Sequence, residues 1–187
     1  LPARTVLQQP DITRALTRIS HEILEANRGP EQLVILGIPT RGVVLADRIG
    51  RLVSEFGGAP VPIGSLDVTM YRDDLRANPT RVPSPTRIPD GGIDGRTVVL
   101  VDDVLFSGRT IRAALDALSD QGRPRAVRLA TLVDRGHREL PIRPDFVGKN
   151  LPSALSERIN VRLMETDGAE HVSIEDVAAG LETGGVA

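Results

Sequence analysis

VVLVDDVLFSGRTIRAA, Val98 to Ala114, is the stretch whose reading decides the fold. Val98 to Val101 form an unbroken apolar run, the pattern of a strand covered on both faces. Asp102 and Asp103 follow, and then a short loop, Phe106-Ser107-Gly108-Arg109-Thr110, leads into a helix expected from about Thr110 to Gln121. Successive backbone N–H groups at such a loop, with the positive end of the helix dipole, make a cradle for a phosphate. Gly108 lets the backbone come close, and the Ser107 and Thr110 hydroxyls add donors. The GxxxxGK[ST] pattern of a nucleoside-triphosphatase loop is absent. Ionised carboxylates only accept hydrogen bonds, so Asp102 and Asp103 suit the vicinal hydroxyls of a ribose, or a bound Mg²⁺. A ligand with a phosphate at one end and ribose hydroxyls nearby satisfies both halves of the stretch.

Working outward, Pro10-Asp11 opens a helix with Asp11 as its N-cap. Ile12, Leu16, Ile19 and Ile23 lie on one face, and Asn27-Arg28-Gly29-Pro30 ends it. A strand is expected over Leu33 to Ile38. The loop Pro39-Thr40-Arg41-Gly42 follows, then a helix over about Val43 to Phe56 and a strand from about Val61 to Met70. Tyr71 to Gly95 is a long irregular stretch rich in Pro, Gly, Asp and Arg, the kind of loop that serves as a lid. Val127 to Val133 reads as another strand, ending in Asp134-Arg135-Gly136-His137. Strands alternating with helices give an α/β fold: a mostly parallel twisted sheet with helices on both faces. Thr40-Arg41, Asp102-Asp103 and Asp134-Arg135 each follow a strand. They are expected to collect at one edge of the sheet, where such folds bind ligands.

The chain has 187 residues, 40% hydrophobic and 26% charged, as expected of one folded domain. No apolar run reaches membrane-spanning length, nothing at the N-terminus reads as a signal peptide, and there is no cysteine. A cytoplasmic protein with no membrane partner is expected. The net charge is −2, but from Met164 onward six carboxylates (Glu165, Asp167, Glu170, Glu175, Asp176, Glu182) stand without a Lys or Arg, so the rest of the chain is net positive. Arg14, Thr17, Arg18 and His21 lie opposite the apolar stripe of the first helix, and His137, Arg138, Arg143 and Lys149 form a second basic segment. Such patches fit a phosphate backbone and equally an ordinary solvated surface. Aromatics make up 2% of the chain, so stacking on aromatic platforms is not its main binding mode.

VVLVDDVLFSGRT resembles the 5-phosphoribosyl-1-diphosphate (PRPP) motif of the type I phosphoribosyltransferases. ALTRISHE, LGIPTRG, MYRDDL, GRTIRAALDAL and LVDRGHRELPIRPDFVGKN together resemble the PyrR family of pyrimidine-operon attenuation regulators, which also have uracil phosphoribosyltransferase activity. The likeness runs from about Asp11 to Asn150. It implies a single phosphoribosyltransferase domain over residues 1–187, with a flexible lid at about 71–95 and a small hood at about 134–165 joined by the N-terminal segment. Asp102 and Asp103 would hold the ribose hydroxyls, and Ser107, Gly108, Arg109 and Thr110 the 5′-phosphate. Thr40 and Arg41 would meet the diphosphate, and Tyr71 and Arg72 would reach the leaving group as the lid closes. Catalysis would fall to Asp102, Asp103, Arg41 and Arg72, with Mg²⁺ carried mainly by the diphosphate.

In the purine-specific relatives an aspartate stands where this chain has Phe106, which points to a pyrimidine. PDFVG resembles the base-binding segment of those relatives, so Phe146 would stack on the base and Val147 would bind it by backbone. Asp134 is expected to accept from uracil N3–H. The implied partners are PRPP, uracil, UMP and UTP, the mRNA leader of pyrimidine genes, and further copies of the chain in a homodimer or higher even-numbered homo-oligomer. The two basic segments would bind the RNA. An RNA-binding regulator with vestigial catalysis and a phosphoribosyltransferase for another base are the alternatives.

Overall fold

In chain order the elements are β1 (Arg4–Gln8), α1 (Gln9–Asn27), β2 (Leu33–Gly37), α2 (Arg41–Gly57), β3 (Ile63–Ser65), β4 (Thr97–Leu105), α3 (Arg109–Ser119), β5 (Ala126–Asp134), β6 (Phe146–Asn150), β7 (Glu157–Arg162), α4 (Met164–Asp167) and β8 (His171–Asp176). They come from a computed structural model, which describes residues 3–74 and 82–177. Five strands form a parallel sheet in the order β3-β2-β4-β5-β6. Side chains alternate across it, as a strand's period of two requires. Leu33, Ile35, Val99, Val101, Ala130 and Leu132 pack in one core with α1 and α2. Val34, Leu36, Val98, Leu100 and Leu129 pack in a second core with α3. This explains the unbroken apolar runs, since both faces of each central strand are covered.

From β2 the chain moves outward to β3, then returns to lay β4 on the other side of β2 and continues outward to β5 and β6. The order therefore reverses between β2 and β4. Ligands of open α/β sheets bind beyond the carboxyl ends of the strands at such a reversal.

Several boundaries differ from the sequence expectation. Asp11 is not the N-cap of α1: it is the third helical residue, and its carboxylate accepts from the Gln8 N–H at 2.9 Å. The strand expected over Val61 to Met70 is cut to Ile63–Ser65. Asp67 accepts from the Thr69 N–H and hydroxyl, at 3.2 and 2.7 Å, and turns the chain into a short 3-10 turn at Thr69–Tyr71. The expected lid is shorter than 71–95, because its second half is docked: Ser65 and Arg87 exchange backbone hydrogen bonds, and Ile93 is buried in the core. Residues 75–81 of that expected lid lie outside the described residues. Phe146–Asn150, expected in the hood, instead form β6 and complete the large sheet. A separate antiparallel sheet, β1-β8-β7, stands over its carboxyl edge on the β4 side.

Candidate active site

β4 outruns β2. Their pairing stops at Gly37 with Val101, whereas β4 stays paired to β5 as far as Leu105 with Asp134. Asp102 and Asp103 therefore lie within the strand and not after it. They are held on the β5 side and open on the β2 side. Neighbouring strand residues face opposite ways, so the two carboxylates serve two different cavities.

Asp102, 8% exposed, lines a cavity of about 300 Å³ with Arg72, Ser107, Gly108, Arg109 and Thr110. Gly108 has a φ of +92°, a conformation that L residues rarely adopt, and a Cβ there would stand 3.4 Å from Ile142. The loop is braced from beneath: the Ser107 carbonyl accepts from the Glu139 and Leu140 N–H groups at 2.9 and 3.1 Å. Arg109 pairs with Glu139 and Asp73, both at 2.6 Å. Arg72 donates to both oxygens of Asp74 at 2.8 Å and, at 3.4 Å, to the Thr110 hydroxyl, so it stands over the 107–110 loop.

Asp103 lines a second cavity of about 340 Å³, between the end of β4 and the hood strand β7. Val104 and Ile159 give it apolar surface, Asn160 a polar side chain, and Arg41, Arg158 and Arg162 positive charge. Arg41 enters at the start of α2, from a loop seated tightly on β4. A Cβ on Gly42 would lie 2.5 Å from the Val101 carbonyl oxygen, and one on Gly37 would lie 2.4 Å from the Gly42 carbonyl oxygen. Thr40 precedes Arg41 and is exposed.

Arg41 binds Asp167 through two parallel hydrogen bonds, of 3.0 and 2.6 Å. That contact holds the Asp167 carboxyl below the ordinary aspartate value and raises the Arg41 guanidinium. Two turns further along α2, Arg48 grips Glu165 and Glu170 with four hydrogen bonds of 2.6 to 2.9 Å, which raise its pKa. Glu165, Asp167 and Glu170, from the acidic segment that begins at Met164, thus supply the counter-charge that docks the hood on α2.

A family model described as "Phosphoribosyl transferase domain" matches residues 2–163. The chain is 74% identical over 181 residues to the "Bifunctional protein PyrR" of Leifsonia xyli subsp. xyli, covering 94% of this chain and 98% of that one. It is 64% identical over 170 residues to the protein of the same name in Streptomyces coelicolor, covering 91% and 88%. The chain belongs to the PyrR family. Its fold is that of a type I phosphoribosyltransferase. Among solved structures, the hypoxanthine phosphoribosyl transferase of Trypanosoma cruzi superposes with a TM-score of 0.71 over 96% of this chain and 94% of that one, at 17% identity, a likeness of fold alone.

Not every expected residue of this PyrR-family chain reaches the two cavities. Phe146 does not stack on a ligand there: it opens β6, is 6% exposed and packs in the core with α1. The Val147 carbonyl accepts from Arg18 at 2.9 Å, on the α1 side of the sheet. Tyr71 donates its hydroxyl to Asp120 at the far end of α3, about 15 Å along the helix from the phosphate loop.

Asp134, expected to meet the base, braces its own turn. It accepts from the Gly136 N–H at 3.0 Å and from Arg138 at 2.6 Å. Arg138 also donates to the carbonyls of Phe106 and Ile142, at 2.9 and 2.8 Å. Arg138 therefore clamps this turn. His137 binds the Ser153 carbonyl nearby. We expect Asp134→Asn to leave base preference unchanged and to lower stability by about 1–3 kcal/mol, the cost of breaking a partly buried charged hydrogen bond; thermal unfolding beside initial rates with several bases checks this. Phe106 lies under the Arg135 guanidinium, 4.3 Å from its centroid, with the His137 ring edge-on at 6.1 Å.

The remaining basic residues lie on α1 and on or just before β6. Arg18 straps α1 to β6 through the carbonyls of Val147 and Gly148. Arg14 pairs with Asp11, the Thr17 hydroxyl donates to the Thr13 carbonyl, and His21 stacks on Phe56 with centroids 4.2 Å apart. Lys149 lies on the edge strand β6 and Arg143 just before it, both exposed and without a salt bridge among the described residues. No described helix is long and apolar enough to cross a membrane.

Proposed function

We infer that the chain transfers the phosphoribosyl group of PRPP to uracil, giving UMP and diphosphate, and that it binds the leader RNA of pyrimidine genes in response to uridine nucleotides. The observation that carries the first part is the placement of two carboxylates on opposite sides of β4, each facing its own cavity. PRPP lies across the strand end. Its 5′-phosphate sits in the 107–110 loop, its ribose hydroxyls on Asp102 and Asp103, and its diphosphate beside Arg41. Uracil enters the hood-side cavity between Val104 and Ile159. The bond from C1′ to the diphosphate oxygen breaks and a bond from C1′ to uracil N1 forms, with loss of the N1 proton. Positive charge grows on the ribose in between, and the two carboxylates stabilise it.

Arg41 must leave Asp167 to meet the diphosphate. Its exchange of a carboxylate for a phosphate couples substrate entry to the hood. No group of three or more metal-ligating side chains stands together among the described residues. Mg²⁺ takes one or two carboxylates and fills its shell with substrate phosphate oxygens. Asp102 and Asp103 would be those carboxylates, and the ion's contribution when bound is to neutralise the leaving diphosphate.

The second part rests on the joined face of α1 and β6, where Arg14, Arg18 and Lys149 lie near one another within one subunit. A homodimer or higher even-numbered assembly, in the cytoplasm, would double that face. UMP tests the site directly. At about a hundred times its Kd it stabilises by about 2.7 kcal/mol, so the melting temperature should rise by about 5–11 °C. No rise with either UMP or PRPP counts against the site. Binding of a labelled leader transcript should weaken steeply with salt, and no retention at low salt removes the RNA reading.

A further inference from the structure

At the opposite edge of the large sheet, where its strands begin, lies a cavity of about 320 Å³ that the transfer reaction does not use. At about 3.3 Å per residue, roughly 16 Å of β4 separates Thr97 on its wall from Asp102. Its apolar surface comes from Ile23, Leu33, Val99 and Phe146, and its rim carries Arg28, Arg125 and Arg128. Two carboxylates partly offset these: Asp145, 3.3 Å from Arg128, and Glu31, which stands beside Gly29 next to Arg28. Arg125 donates to the Thr97 hydroxyl at 3.0 Å. The Arg28 side chain has no hydrogen bond or ion pair among the described residues. The rim therefore holds an excess of positive charge over an apolar floor.

The cavity also continues the basic face. Arg18 and His21 fall at i+4 and i+7 from Arg14, close to one line along α1 at 3.6 residues per turn, and Arg28 caps the C-terminal end of that helix in a left-handed conformation. Arg143 leads into β6 beside it.

Building on the RNA reading above, we propose that this cavity receives one unstacked nucleotide of the bound RNA. Its phosphate lies among Arg28, Arg125 and Arg128, and its base lies over the apolar floor. The volume is at the lower end for small-molecule pockets. Proteins read RNA chiefly through nucleotides splayed from loops and bulges, and arginine planes serve as stacking partners for such bases. The track along α1 thus ends in a receptacle that adds contacts where a flat basic surface would add only attraction.

The test replaces Arg28, Arg125 and Arg128 by Gln, singly and together, and measures binding of a labelled pyrimidine-gene leader transcript across a salt series. The triple variant is expected to bind about tenfold more weakly than wild type. Its plot of log affinity against log salt should be shallower by about one unit, one phosphate contact being lost. Uracil conversion should stay within about twofold, which also verifies folding, and Arg28→Gln alone has no side-chain partner to lose. Wild-type affinity and slope in the triple variant would overturn the proposal and leave the arginines to contact another protein. A wild-type protein that does not bind the transcript at all would instead overturn the RNA reading, and this proposal with it.

Discussion

Asp102→Asn should lower kcat/KM for PRPP by about 10²–10³-fold while the melting temperature stays within about 2 °C of wild type. The substitution keeps the shape of the side chain and an oxygen for the Asp103 N–H, which Asp102 accepts at 2.9 Å. What it removes is negative charge beneath the ribose. A hydrogen bond to a charged group contributes about 1.5–3 kcal/mol. A carboxylate on vicinal hydroxyls makes two, and each 1.36 kcal/mol is a factor of ten in rate. The loss should fall on kcat more than on KM, because positive charge on the ribose is greatest in the transition state. Steady-state kinetics with calorimetry on the same sample check both halves. A variant as active as wild type would mean that Asp102 does not hold the reacting sugar.

Gly42→Ala should cost stability and diphosphate binding together. The new methyl group would stand 2.5 Å from the Val101 carbonyl oxygen, a rigid strand atom that cannot turn aside. Overpacking of this kind costs about 1–3 kcal/mol, or about 3–10 °C in melting temperature for a chain of this size. The start of α2 must lift from β4, carrying Arg41 away from Asp167 and from the hood-side cavity. KM for PRPP should therefore rise by at least about tenfold. A melting temperature within about 1 °C of wild type, with KM unchanged, would show that α2 has room the structure does not give it.

The parts of this site that the sequence revealed are those whose signals are local. An apolar run, two carboxylates and a glycine-bearing turn before a helix lie within Val98–Ala114, and all of it folds as one continuous strand, loop and helix. Arg41–Asp167 and Arg48–Glu165 are different. Their partners are 126 and 117 residues apart, and an acidic segment with no basic neighbours does not name the arginines it will meet. Val104 and Ile159 carry no chemical signature, so the apolar walls of the hood-side cavity were invisible until β7 was seen to stand over β4. Phe146 misled for the same reason in reverse. The likeness of PDFVG to a base-binding segment points Phe146 at the base, but pairing with Ala130 of β5 turns its ring into the core. Asp134 is the last residue of β5 and does not follow it, and the nearby Arg138 takes its carboxylate.

The central claim is that the two cavities flanking β4 serve a pyrimidine and PRPP. The most direct measurement is conversion of radiolabelled uracil by the whole protein with PRPP and Mg²⁺, run beside hypoxanthine, guanine, xanthine and orotate. The account predicts labelled UMP from uracil, with release of diphosphate, at a rate well above that of the other bases. Efficient turnover of a purine or orotate, with uracil left unchanged, would contradict it.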